Sequence, residues 1–214
     1  MLSTLRVVTP PASPAVALAT VRQHVRVDTT DDDDLLGLYL DSATQTVETF
    51  LGRALITTTL SWDVMDAPLN NVPMIPAGNL FVLPLAFSGL SLAGRALELP
   101  RAPVQEVLSF RMGIGADAVD IAADRYSQDL GQDPARLRLL NGLSLLGNLY
   151  GSPGFSVTFR AGYGDDPSAI PAPIRHALLL MTSYGYERRG DDGGEMPSVV
   201  ERLLWPYRMM TFGG

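Results

Sequence analysis

The chain reads as an α+β protein in which helices at either end bracket a strand-rich middle, and three observations predict this. Leu36, Tyr39 or Leu40, Ala43, Val47 and Phe50 or Leu51 recur at three- and four-residue steps, the spacing of one apolar stripe on a helix. From Ile56 the texture changes to Ile-Thr-Thr-Thr-Leu-Ser-Trp-Asp-Val, a β-branched run that suits a strand. After Gly162-Tyr163-Gly164-Asp165-Asp166-Pro167 the helical spacing returns. With 214 residues, 46% hydrophobic and 18% charged, the chain has an ordinary globular balance. A chain of this length buries roughly 70% of its extended surface on folding.

Taken in order, residues 1–14 predict an extended arm, because Pro10, Pro11 and Pro14 remove backbone donors and forbid helix. Within the arm, Leu5, Val7 and Val8 could add a strand to a neighbour. Ala15–Val25 predicts a first helix of about two turns. The second starts in the acidic run Asp31–Asp34, with Thr30 and Asp33 in capping-box spacing and the carboxylates at the positive helix end. Gly52 supplies its stop. Further strands are predicted at Leu80–Leu83, Val104–Met112, Val119–Ala122, Leu137–Leu140 and Phe155–Arg160, separated by turn residues. Pro171 and Pro173 suit the first turn of a third helix, whose face is Ile174, Ala177, Leu178, Met181 and Tyr184. The loop 190–194 closes it. Pro197 opens a fourth, short helix with Val200, Leu203 and Leu204, which Pro206 ends.

The residues that could carry chemistry point elsewhere. A net charge of −7 disfavours a duplex-binding protein, which presents a basic face to phosphates. There are no cysteines, so disulfides, thiolate metal sites and a cysteine nucleophile are excluded. The first residues carry no long apolar segment of the secretory kind, and the apolar runs fall far short of the ~20 residues of a membrane helix. Asp31–Asp34 point about 100° apart on a helix, so they cap it rather than converge on one ion. His24 and His176 are the only histidines, and neither lies in a metal-ligand spacing. Gly113-Ile114-Gly115-Ala116-Asp117-Ala118 brushes a dinucleotide fingerprint, yet Val119-Asp120-Ile121 continues as strand, so a hairpin turn is predicted. Asp165-Asp166 and Asp191-Asp192 read as solvated turns. No Walker A sequence or G-x-S-x-G elbow occurs. The expectation is therefore no catalytic residue, no cofactor and no metal.

What remains are surface candidates. Arg188 and Arg189 end the third helix, Arg208 follows the fourth, and Trp205, Tyr207 and Phe212 make the C-terminal stretch apolar for an exposed end. These six form the candidate partner or ring interface. Arginines at a helix end also complement its negative pole, and that reading stands beside the first.

Three blocks in this order carry a resemblance. The first is Val21–Asp28, the acidic helix start, Ala43, Val47-Glu48 and Gly52-Arg53-Ala54-Leu55-Ile56 with Thr58. The second is Phe159-Arg160-Ala161-Gly162-Tyr163-Gly164, the Pro171–Pro173 helix start and Tyr184 through Arg189; the third is Pro197, Leu203-Leu204 and Pro206-Tyr207-Arg208. Together they cover about half the chain and resemble the head–tail connector (adaptor) proteins of tailed phages and phage-like particles. The resemblance implies an antiparallel α-helical connector core of about four helices, 15–54 with 162–208. A β-rich insertion, 55–161, then lies between helices two and three, with the arm 1–14 before the core and a tail 209–214 after it. It also implies a ring of about twelve copies beneath the portal protein, at the head–tail junction of a virion assembled in a bacterial cytoplasm. The ring extends the DNA channel, passes DNA without sequence specificity and docks a head-completion (stopper) or tail protein, with the major capsid protein as a further neighbour and no membrane. The insertion departs from the shortest members of the family and is expected to face outward or to meet partners particular to this particle. Two other readings of the residues are a carboxylate-dependent hydrolase built on the Asp-rich turns and a small DNA-binding regulator. The second would set four aspartates against phosphate.

Overall fold

A computed structural model describes residues 2–65, 96–113, 118–140, 154–188 and 196–210. The protein is α+β. Among the described residues the α-helices are α1 (Leu18–Val25), α2 (Asp33–Leu51), α3 (Ala172–Arg188) and α4 (Ser198–Leu204). The described strands are β1 (Leu2–Thr9), β2 (Thr58–Met65), β3 (Ala96–Glu98), β4 (Val104–Met112), β5 (Val119–Asp120), β6 (Tyr126–Asp129), β7 (Arg136–Leu139) and β8 (Phe155–Ala161). The strand expected at Leu80–Leu83 and the loop at 190–194 lie outside the described residues.

By contacts the chain divides into two units. One comprises residues 1–8, 59–100 and 104–160; the other comprises 9–58, 101–103 and 161–214. The strand-rich middle is thus not one continuous piece, because 101–103 joins the helical unit. The segment Leu2–Thr9, read as part of an arm, forms strand β1.

In the helical unit the predicted stripe is the buried one: Leu36, Leu40, Ala43, Val47 and Leu51 of α2 are all in the core. Ile174, Ala177 and Leu178 of α3 and Val200 and Leu204 of α4 meet them in one cluster. Burying such a set removes apolar surface from water at roughly 25 cal/mol per Å², the main force holding short helices that are marginal alone. The last turns of α3 lie beside the first turns of α2, so the two run antiparallel: a Cβ on Gly185 would stand 2.9 Å from the Tyr39 ring.

The start of α2 corrects one expectation. Thr30 does not cap it; the helix begins at Asp33, and Asp32 at its N-cap makes no side-chain cap bond. Asp32 instead accepts a 2.6 Å hydrogen bond from the Tyr186 hydroxyl. Asp33 lies 3.4 Å from the Arg22 guanidinium. Tertiary partners on α3 and α1 therefore take the carboxylates that local geometry would have used as caps.

The β unit holds a five-stranded sheet of order β1-β2-β8-β4-β5 and a three-stranded sheet of order β3-β7-β6. β4 and β5 pair antiparallel with Arg111 opposite Asp120, the pairing of the hairpin read at residues 113–118. Phe155, Val157 and Phe159 alternate inward on β8. Phe155 makes edge contacts with Trp62 of β2 and Phe110 of β4, and Phe110 in turn meets Tyr126 of β6, linking the two sheets. The other side of the five-stranded sheet carries a polar anchor. Buried Asp63 of β2 accepts from Ser156 Oγ of β8 at 2.6 Å and from Arg6 of β1. Burial alone would raise this carboxyl, but the Ser156, Arg6 and Ser61 hydrogen bonds hold it below its ordinary value.

Candidate docking surface

A helix ends with four carbonyls that lack intrahelical partners. At the end of α2 the carbonyls of Glu48 and Leu51 are met from distant parts of the chain. Gly52 adopts a left-handed conformation (φ 69°) and returns its N–H to Glu48 O, the stop that its position predicts. Arg101 reaches in to donate to that same carbonyl. Met209 N–H donates to Leu51 O at 2.8 Å, and Ala102 N–H to Gly52 O at 3.4 Å. Arg53 Nε donates to Tyr207 O, so the segment after α4 is fastened to the helix end twice.

Glu48 stabilises the turn that follows: its Oε1 accepts the Leu55 N–H at 2.8 Å. Its carboxyl is nevertheless pushed above the ordinary value, because burial outweighs the Leu55 hydrogen bond and the nearby Arg101 charge. A carboxyl raised in the folded state binds its proton more tightly than in the unfolded chain. Stability therefore falls as pH rises from about 4.5, its ordinary value, through the folded value. Glu48→Gln keeps the acceptor and removes the charge. Its melting temperature should exceed the parent's at neutral pH, with the gain vanishing below pH 4.5; thermal melts across pH check this.

Above this knot lies the exposed surface. The Arg208 guanidinium stands 5.3 Å from the Phe50 ring centroid and 5.6 Å from that of Trp205. Trp205 is 51% exposed and Met210 55% exposed. An arginine held between two rings is stiffened, which reduces the side-chain entropy lost when it meets a partner. Tyr207 packs its ring against the helical core and contributes its carbonyl to Arg53. Arg188 lies at the other end of α2, exposed, with its guanidinium over the Tyr184 ring at 4.6 Å. At about 1.5 Å per residue, the 19-residue α2 places about 28 Å between these ends. The expected interface residues thus fall into two groups, Trp205 with Arg208 and Arg188 alone, while Arg189 and Phe212 lie outside the described residues. Phe50 packs against the helical core, as its spacing predicts, and also offers its ring to Arg208, a second contact that the spacing does not report.

Among the described residues the acidic turns do not gather into a site, and Asp191-Asp192 lie outside them. Asp166 Oδ1 accepts from Ser168 N–H at 2.7 Å, and this hydrogen bonding lowers its pKa. Asp165 and both histidines are exposed. Among the described residues no cluster of three histidines or carboxylates could hold a metal ion. No described helix is long and apolar enough to cross a membrane.

Residues 16–78 match the profile of the phage gp6-like head-tail connector proteins, a stretch that begins before α1 and takes in α2 and β2. Over that stretch the chain is similar to the gp6-like connector proteins. The fold of the whole chain is also found in solved particles. A chain from the virion of a native gene transfer agent particle matches at a TM-score of 0.70 and 23% identity, over 98% of this chain and 97% of that one. A chain from the neck of the empty gene transfer agent particle, computed with C6 symmetry, matches at 0.70 and 24%, over 99% and 98%. A third, from the neck of the native particle computed with C12 symmetry, matches at 0.65 and 23%, over 99% and 98%. No curated protein sequence matches.

Proposed function

We propose that this connector forms a ring of about twelve copies at the head–tail junction of a tailed phage or gene-transfer particle. There it sits under the portal, extends the DNA channel and receives a head-completion or tail protein. The observation that carries the reading is the match of nearly the whole chain to neck subunits, one of them in a particle computed with C12 symmetry. The two ends of α2 supply what a stacked subunit needs, namely separate surfaces for a partner above and a partner below. The Phe50–Arg208–Trp205 surface is the docking point for one partner, and the Arg188–Tyr184 end serves the other. A net charge of −7 suits a channel along which DNA slides without sticking.

Light-scattering mass, measured on the protein alone and after mixing with the cognate portal ring, tests this. A ring-sized species alone, or about a dozen copies gained by the portal, is the expected result. A monomer that ignores the portal overturns the reading. Trp205→Ala and Arg208→Ala should each weaken portal or stopper binding on the order of 10- to 100-fold, as truncation of central aromatic or arginine anchors does. Titration by interferometry checks the affinity, with circular dichroism confirming that the variants fold.

A further inference from the structure

β1 has the character of a strand that can change sheets. It lies at one edge of the five-stranded sheet, so release breaks a single ladder. Its side chains bury little: Val7 is 61% and Val8 57% exposed. Edge strands are ordinarily guarded by charge, proline or a bulge. β1 contains no proline, and its one charge, Arg6, turns toward Asp63 of β2. That contact is the specific anchor. Asp63 is buried, and without a cation its carboxylate would be left with only the Ser61 and Ser156 hydroxyls. After β1 the chain leaves for the helical unit through exposed residues that include Pro10, Pro11 and Pro14. Such a segment is stiff and extended, and it cannot fold into helix or ladder.

We propose that, in the assembled ring, β1 of each copy docks beside β2 of the next, placing Arg6 on the neighbour's buried Asp63. The inference rests on the ring reading above, which supplies an adjacent copy in fixed orientation. Every contact of β1 is remade identically by exchange, so the swap costs little enthalpy while each strand becomes a tether between subunits. A ring contact of this kind is heterologous, with the strand on one side of a subunit and the Asp63 slot on the other. The charge complementarity that selects the occupant is that of Arg6 for a buried carboxylate.

The chain has no cysteine of its own, so an introduced pair reports without background. Alternate residues of a strand share a face, so Thr4 and Val8 lie on the face of Arg6, and Ser61 on the face of Asp63. Thr4→Cys with Ser61→Cys, and Val8→Cys with Ser61→Cys, therefore bracket the contact in either strand direction while leaving the ion pair intact. Each variant is assembled, its mass taken, then joined with a short bis-maleimide and run on a denaturing gel. Rings that yield a ladder of covalent multiples are the expected result. Rings that yield only cross-linked monomer overturn the exchange and leave the ring reading standing. Absence of rings from the parent chain, alone and on the portal, overturns both. Should the Ser61 variants fail to fold, Arg6→Glu mixed with Asp63→Arg gives the second test. Exchange predicts that the mixture assembles alternately while neither variant does so alone, and failure of the mixture where the double variant R6E/D63R assembles overturns it.

Discussion

Gly162→Val is expected to unfold the helical unit or leave it deeply destabilised. The backbone there has φ 142°, a conformation that side-chain-bearing residues rarely adopt. The space is also closed: a Cβ would stand 2.5 Å from Thr57 N and 2.6 Å from the Ile56 carbonyl carbon. These are backbone atoms, so no rotamer change can clear them. On the third side the Gly162 N–H is bound to Pro103 O at 2.9 Å, which prevents the residue from backing away. Backbone strain of about 1–3 kcal/mol and an overpacking cost of similar size add, because they have different causes. A fall in Tm on the order of 10 °C or more follows for a chain of this length. The control is Gly37→Ala, where no atom lies within 4 Å of the new Cβ inside α2. That exchange should stabilise by roughly 0.5–1 kcal/mol through helix propensity alone. A Gly162→Val variant that melts like the parent would overturn this account of strain and overpacking.

Phe155→Ala is expected to cost about 3–5 kcal/mol, the range for truncating a buried phenylalanine. The side chain is 1% exposed. It also makes T-shaped contacts with Trp62 at 5.3 Å and Phe110 at 6.0 Å between centroids. Both neighbours would face the cavity, and Phe110 carries the contact onward to Tyr126 in the second sheet. Near-ultraviolet circular dichroism should lose the signal of the packed Trp62, and Tm should fall roughly 6–20 °C. Phe155→Leu, which keeps most of the volume, should recover more than half of the loss. Equal losses in the two variants would mean that ring geometry rather than volume dominates.

These sites differ in how far the amino-acid order reveals them. The apolar stripe of α2 was legible because its period is local, and Leu36 through Leu51 are buried where the spacing puts them. β4 was legible for the same reason, a run of β-preferring residues bounded by turns, and it spans Val104–Met112 as read. β3 and β6, of three and four residues, were missed because so short a segment offers no period. The Thr30 cap did not form, and the start of the helix is engaged from afar instead. Tyr186 lies 154 positions from the Asp32 that it engages, and no local rule reports such a competitor. The closure of α2 by Ala102 and Met209 is made by main-chain groups, which carry no sequence signature at all. Of the candidate surface, Trp205 and Arg208 stood out as an apolar, basic tail. Phe50 did not, because a platform for a cation and a core residue have the same spacing.

The fastening of 205–209 to the end of α2 has a mechanical consequence. Tension applied to the chain beyond Met210 reaches the helix through Met209 N–H on Leu51 O, Tyr207 O on Arg53, and Arg208 against Phe50. These links lie within three consecutive residues and are loaded together, so the pull is shared rather than met one bond at a time. A grip on the tail is therefore a grip on α2, the longest of the described helices. Strain at the tail is thereby delivered to α2, whose far end is tied to α3 by the Tyr186 hydroxyl on Asp32.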